Sequence, residues 1–223
     1  MKLAVLFSGG KDSCLALHKA MQKEEVVYLL TVISKNPESF MFHTPNIHLT
    51  EVQAKAIGLP LISVTTEGEK EKELEELKEV IRKAKEELGI EGVVTGTIES
   101  VYQATRIQKI CDSLGLWCFN PLWQKSQKEV LEELVENSFE VLITGVFAEP
   151  FGKEWLGKRI DRETVKKLVE TEGINPAGEG GEIETTVVDA PFFRKKIEVK
   201  SYEIKFERNS GVMEIKKTEL VEK

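Results

Sequence analysis

Ser8-Gly9-Gly10-Lys11-Asp12-Ser13 decides how this chain is read. It follows the apolar run Leu3-Ala4-Val5-Leu6-Phe7. It precedes a stretch in which Cys14, Leu17, His18 and Met21 share one helical face. Strand, glycine turn and helix start, in that order, form an anion site. The first amides of a helix lack backbone partners, and the helix dipole adds partial positive charge there. Gly9 and Gly10 let the backbone approach a ligand closely. Ser8 and Ser13 add hydroxyl donors, and Lys11 adds a cation. Asp12 runs against the pattern, because a carboxylate repels a bound phosphate. A bridging Mg²⁺ resolves the conflict, since magnesium takes carboxylate and phosphate oxygens together. The turn therefore reads as a nucleotide or phosphate site with Asp12 as metal ligand, in preference to a plain strand-to-helix connection.

Alternation of strand-like and helix-like segments continues outward from this turn. Strands are expected at 2–7, 26–33, 61–65, 91–95 and 117–119, and helices at 11–23, 48–58, 69–88 and 99–114. Such βαβα order implies a parallel sheet with helices on both faces, and ligands gather at the carboxyl ends of its strands. Those ends include the opening turn, Thr31 to Ser34, and Gly96 to Ser100. Pro121-Leu122-Trp123 reads as a linker. Beyond it, Ser126-Gln-Lys-Glu129 is a capping box for a helix at 126–137, and Asp161 caps another at 161–172. A strand at 139–147 lies between them. From Thr185 onward, apolar and polar residues alternate as in antiparallel strands, with a hairpin turn at Asn209-Ser210-Gly211. The expected organisation is a domain over 1–123 and a smaller α+β domain over 124–223.

The chain has 223 residues, enough for a sizeable core, and 31% of them are charged. A net charge of −7 argues against broad nucleic-acid binding by phosphate neutralisation. The three cysteines, Cys14, Cys111 and Cys118, form no CxxC and sit in apolar surroundings, which argues against a disulfide framework or a Cys-rich zinc site. Met1-Lys2 runs straight into a strand, and no apolar run approaches membrane-spanning length, so a cytoplasmic protein without membrane contact is expected. Nothing in the sequence fixes the oligomeric state, and a homodimer stays open.

The opening turn is neither GxxxxGK[ST] nor GxGxxG. Its SGGKDS spacing resembles the pyrophosphate loop of the N-type ATP pyrophosphatases, also called the PP-loop superfamily. More of the chain is similar to one family within it, the ATP-binding domain or diphthamide synthase family. The similar segments are Phe42-His43-Thr44-Pro45-Asn46, Gly96 to Arg106, Pro121 to Trp123, Trp155-Leu156-Gly157, and Gly178-Glu179-Gly180-Gly181-Glu182-Ile183-Glu184-Thr185. The last is the most distinguishing, because other pyrophosphatases share the loop and lack it. One departure is Ala190, where the family often has Gly. The resemblance implies an adenine nucleotide alpha hydrolase-like, Rossmann-type fold, with ATP as cosubstrate and Mg²⁺ as metal. It implies a diphthine–ammonia ligase that amidates diphthine on translation elongation factor 2 with ammonium, releasing AMP and pyrophosphate. It also implies adenine contacts from the backbone of Thr31, Val32 and Ile33.

Residue by residue, Glu99, Gln103 and Arg106 stand at i, i+4 and i+7, so one helix face is expected to carry them toward the phosphates. Arg106 can hold a phosphate through its planar fork, and Glu99 can place the metal or the amine. With Lys11 and Asp12 they form the expected catalytic set. Gly96, Gln103 and the loop histidine His43 join the expected ATP contacts. Glu179, Glu182, Glu184 and Thr185, with Tyr102, are the expected substrate contacts, because the carboxylates can bind ammonium or the trimethylated amine of diphthine. Tyr102, Trp123 or Trp155 can bind that amine through an aromatic face. A surface ion-pair face is the plainer reading of 99–106, and a solvated linker the plainer reading of 178–185. Two other functions stay open: a tRNA base-modifying adenylating enzyme, and a non-catalytic ATP sensor.

Overall fold

A computed structural model describes residues 1–36, 45–68 and 72–223. The first half contributes strands β1 (Lys2–Leu6), β2 (Glu25–Ser34), β3 (Leu61–Thr66), β4 (Gly92–Val94) and β5 (Trp117–Phe119). Its helices are α1 (Lys11–Met21), α2 (Thr50–Ile57), α3 (Lys72–Leu88) and α4 (Val101–Leu114). The five strands form a parallel sheet in the order β3-β2-β1-β4-β5. The chain builds outward from β1 to β3, then returns to add β4 on the other side of β1. The switch point falls between β1 and β4, where such sheets place their ligands.

Period-two alternation explains why β1 is apolar throughout. Leu3 and Val5 pack with α1 residues Cys14, Leu15 and Leu17 on one face. Ala4 packs with Leu77, Ile81, Ile107 and Cys111 of α3 and α4 on the other. α2 ends at Gly58, whose φ of 81° is the left-handed C-cap the sequence implies.

The second half holds α5 (Gln127–Glu136), β6 (Glu140–Val146), α6 (Arg162–Glu170), β7 (Ile183–Asp189), β8 (Lys196–Glu207) and β9 (Ser210–Val221). Its strands form an antiparallel sheet ordered β7-β6-β9-β8. The capping box at Ser126 and Glu129 is present in both directions, and Asp161 accepts the Thr164 N–H at 2.8 Å.

Two expectations need adjustment. Pro121-Leu122-Trp123 is no exposed linker: Leu122 is fully buried in the core. That core runs without a break from β1 and α1 through Val130, Leu131 and Leu134 of α5 to Val141 and Val187. The hairpin turn is Arg208-Asn209, one residue early, with Arg208 at φ 54°. Residues 69–71, expected to begin α3, and His43 lie outside the described residues. Among the described residues, no helix is long and apolar enough to cross a membrane.

Candidate active site

A cavity of about 870 Å³ opens over the carboxyl ends of β1 and β4. Its floor is the opening loop: Ser8, Gly10, Lys11, Asp12 and Ser13. Leu6, Leu30, Val32, Ile47 and Ile107 form an apolar end. Thr95, Gly96, Thr97, Ser100, Tyr102 and Gln103 form one side, and Gly178 to Gly181 with Ile183 to Thr185 form the other. The two motifs that stand some 170 residues apart in sequence thus face each other across one space.

The loop is held by the strand that carries the second motif. Thr185 Oγ1 accepts the Lys11 backbone N–H at 3.1 Å. The Gly9 carbonyl accepts the Val187 N–H at 3.0 Å and a Gln53 side-chain N–H at 2.8 Å. The same Gln53 amide nitrogen donates to the Val187 carbonyl at 2.8 Å. Glycine is required on both flanks. Gly9 has φ +77°, and a Cβ there would lie 2.0 Å from Gln53 Oε1; a Cβ on Gly96 would lie 2.7 Å from the Asp12 carbonyl. Ser13 braces the turn from within, accepting from the Ser8 hydroxyl at 3.2 Å and donating to the Gly10 carbonyl at 3.1 Å.

Lys11 is almost fully buried, and its ammonium lies 2.7 Å from Asp12 Oδ2. The other oxygen, Asp12 Oδ1, is buried and has no hydrogen-bond partner among the described residues. A buried carboxylate oxygen left bare beside a helix N-terminus fits a hard cation. Among the described residues no three His, Cys, Asp or Glu side chains converge to hold a metal by themselves. Asp12 would therefore share Mg²⁺ with phosphate oxygens and water, as that ion's coordination habit favours.

The carboxylates of the Gly-Glu-rich segment separate into three environments. Glu182 accepts three N–H bonds, from the Asn175 backbone at 2.9 Å, the Asn175 side chain at 2.7 Å and Gly180 at 2.9 Å. Burial pushes its pKa up, but these donors win and hold it below the usual range. Glu182 thus staples its own loop and does not line the cavity. Glu179 lines it too and accepts the Glu99 N–H at 3.1 Å, and burial raises its pKa. Glu184 lines it from β7, and burial pushes its pKa up to about 7.

Other expected residues take up different places. α4 begins at Val101, because the Ser100 hydroxyl accepts the Gln103 N–H and caps it. Glu99 therefore precedes the helix, is exposed, and accepts a Gln127 side-chain N–H at 2.7 Å. Gln103 and Tyr102 line the cavity, whereas the Arg106 guanidinium stacks on the Tyr102 ring at 3.4 Å. Val32 lines the apolar end. Thr31 turns away to donate to the Phe7 carbonyl at 2.6 Å, and neither it nor Ile33 lines the cavity. Trp155 packs against Phe151 and Lys158, and Trp123 is not part of the lining.

Two glutamines escape sequence reading. Gln53 is the clamp already described. Gln127, the first residue of α5, bonds Glu99, the Asn175 side chain at 3.2 Å and the Ala177 N–H at 3.0 Å. It ties the end of β4 to the Gly-Glu-rich loop. The only sequence signal for Gln127 was the capping box beside it; Gln53 had none.

The model of the diphthamide synthase N-terminal domain matches residues 1–118, and that of the diphthamide synthase C-terminal domain matches residues 126–221. Proteins named diphthine–ammonia ligase from Bos taurus and Homo sapiens are each 32% identical over 226 residues, covering 92% of this chain and 85% of theirs. One of the same name from Saccharomyces cerevisiae is 33% identical, with 87% of this chain matching 34% of that one. The chain belongs to the diphthamide synthase family.

Proposed function

We propose that this chain amidates diphthine on translation elongation factor 2, using ATP and ammonium and releasing AMP and pyrophosphate. The observation that carries the reading is the bond from the Lys11 N–H to Thr185 Oγ1, which sets the Gly-Glu-rich strand directly on the phosphate loop. ATP chemistry and substrate choice then share one cavity. Family membership supports the same reaction, because the relatives are named for it.

The chain's residues divide the work. The apolar end at Leu30, Val32 and Ile107 takes the adenine. The remaining first-turn amides of α1 and the Lys11 ammonium hold the two phosphates that leave, and stabilise the charge that develops on them. Asp12 would hold Mg²⁺, which would supply charge neutralisation and orientation of the phosphates. Held this way, ATP presents its α-phosphorus to the cavity. The diphthine carboxylate attacks there, giving an acyl-adenylate and pyrophosphate. Ammonia then displaces AMP and leaves the amide. Gln103 and Gly96 contribute to ATP binding. Glu99 and Arg106 act indirectly, Glu99 through Gln127 and Glu179, Arg106 by fixing the Tyr102 ring. A translation factor as substrate makes the cytoplasm the place of work.

The test is incubation of the chain with ATP, ammonium and diphthine-bearing elongation factor 2. AMP release together with the mass change of carboxylate to amide is expected. ATP binding without AMP release would overturn the proposal.

A further inference from the structure

The reaction proposed above consumes ammonia, which at neutral pH arrives almost wholly as ammonium. Resting on that reading, we infer that Glu184 binds the ammonium ion and accepts its proton, delivering the neutral amine to the activated carboxylate.

Three observations carry this. First, the other carboxylates of the segment are engaged: Glu182 by three N–H groups and Glu179 by the Glu99 N–H. Second, the Glu184 side chain lines the cavity but makes no hydrogen bond or ion pair with any described residue. Third, its strand position is built for it. Glu184 pairs in register with Gly145 of β6, where a Cβ would lie 2.9 Å from the Glu184 Cβ. The missing side chain of Gly145 makes room for the glutamate.

The chemistry then chooses between the two cations the reaction offers. A half-buried carboxylate without donors is costly, and charge-assisted N–H bonds relieve that cost most fully. Ammonium brings four N–H groups. The trimethylated amine of diphthine brings none, so it leaves the carboxylate unsatisfied. The partners agree: Glu184 stands on β7 beside Thr185, which bonds the loop, whereas Glu179 already accepts the N–H of exposed Glu99. The charged groups around Glu184 are Lys11, which favours its anion, and Asp12, which opposes it. The Lys11 ammonium is already paired with Asp12 at 2.7 Å. A carboxylate held up near neutrality by burial is also a competent proton acceptor.

In the step itself, one N–H bond of ammonium breaks, the proton passes to a Glu184 oxygen, and nitrogen keeps the electron pair. That pair forms the C–N bond to the acyl carbon. The C–O bond to AMP breaks, AMP departs with its electrons, and the nitrogen sheds one further proton to solvent.

Hydroxylamine tests the assignment, because it is uncharged at neutral pH and needs neither an anionic anchor nor deprotonation before attack. AMP formation and product mass (amide or hydroxamate) are measured with each nucleophile for the wild type, Glu184→Gln, Glu184→Asp and Glu182→Gln. The ratio of ammonium to hydroxylamine kcat/KM is expected to fall roughly ten- to a hundredfold in Glu184→Gln, the size expected for a lost charged hydrogen bond. Glu184→Asp should recover part of it. Glu182→Gln, which loosens the loop, should lower both rates and leave the ratio unchanged. An unchanged ratio in Glu184→Gln would overturn the inference. No AMP from the wild type with either nucleophile would instead overturn the ligase reading beneath it.

Discussion

Gly9→Ala probes the clamp that joins the phosphate loop to the second sheet. The added Cβ would meet Gln53 Oε1 at 2.0 Å, and the backbone at φ +77° lies in the left-handed region. An L-residue there costs about 1–2 kcal/mol. Gln53 is almost fully buried and must move, weakening its bonds to the Gly9 and Val187 carbonyls, at about 1 kcal/mol each. The expected total is about 3 kcal/mol, or a fall in Tm of roughly 6–12 °C for a chain of this size. The decisive assay is a double-mutant cycle with Gln53→Ala, followed by thermal unfolding and ATP KM. The two residues compete for the same space, so the double variant should cost less than the sum of the singles. Additivity within about 0.5 kcal/mol would refute the clamp, since that is how independent sites behave.

Other outcomes follow from the same geometry. Asp12→Asn should raise the Mg²⁺ concentration needed for AMP formation at least tenfold on the order of one lost charged ligand, read from a magnesium titration at saturating ATP. Gln127→Ala frees the loop from α5 and from Glu99, so limited proteolysis between residues 173 and 182 should quicken while Tm drops by only a few degrees. The Glu184 pKa of about 7 stands above its ordinary value of 4.5, so the folded state binds more protons between those values. Stability from this group is therefore full below about pH 4.5 and is lost as pH rises through about 7. Glu184→Gln should remove a decline on the order of 3 kcal/mol, seen as a flatter plot of unfolding free energy against pH.

Much of the fold could be read in the sequence because its signals are local. The alternation of apolar runs with amphipathic stretches marks every strand and helix of the parallel sheet. Capping residues such as Ser126, Asp161 and Gly58 mark the ends they occupy. The opening turn is likewise local: two glycines, two serines, a lysine and an aspartate between a strand and a helix. The partners that complete the site are not local. Thr185, Val187 and Gln53 meet the loop across separations of 174, 178 and 44 residues, and periodicity carries no information about such contacts. Glu99 shows the same at a helix end: its spacing puts residue 99 on the helix, but Ser100 caps it one position later and Glu99 is exposed. The carboxylates of the Gly-Glu-rich segment looked equivalent as letters. What separates Glu182 from Glu184 is the supply of nearby N–H groups, a property of the folded loop.

Oxygen-18 transfer tests the central claim most directly. With the label in the diphthine carboxylate, attack at the α-phosphorus moves one labelled oxygen into AMP, and mass spectrometry of the released nucleotide should find it there. Label in inorganic phosphate, with ADP as the nucleotide product, would contradict the account, because the loop would then not be holding the two phosphates that leave.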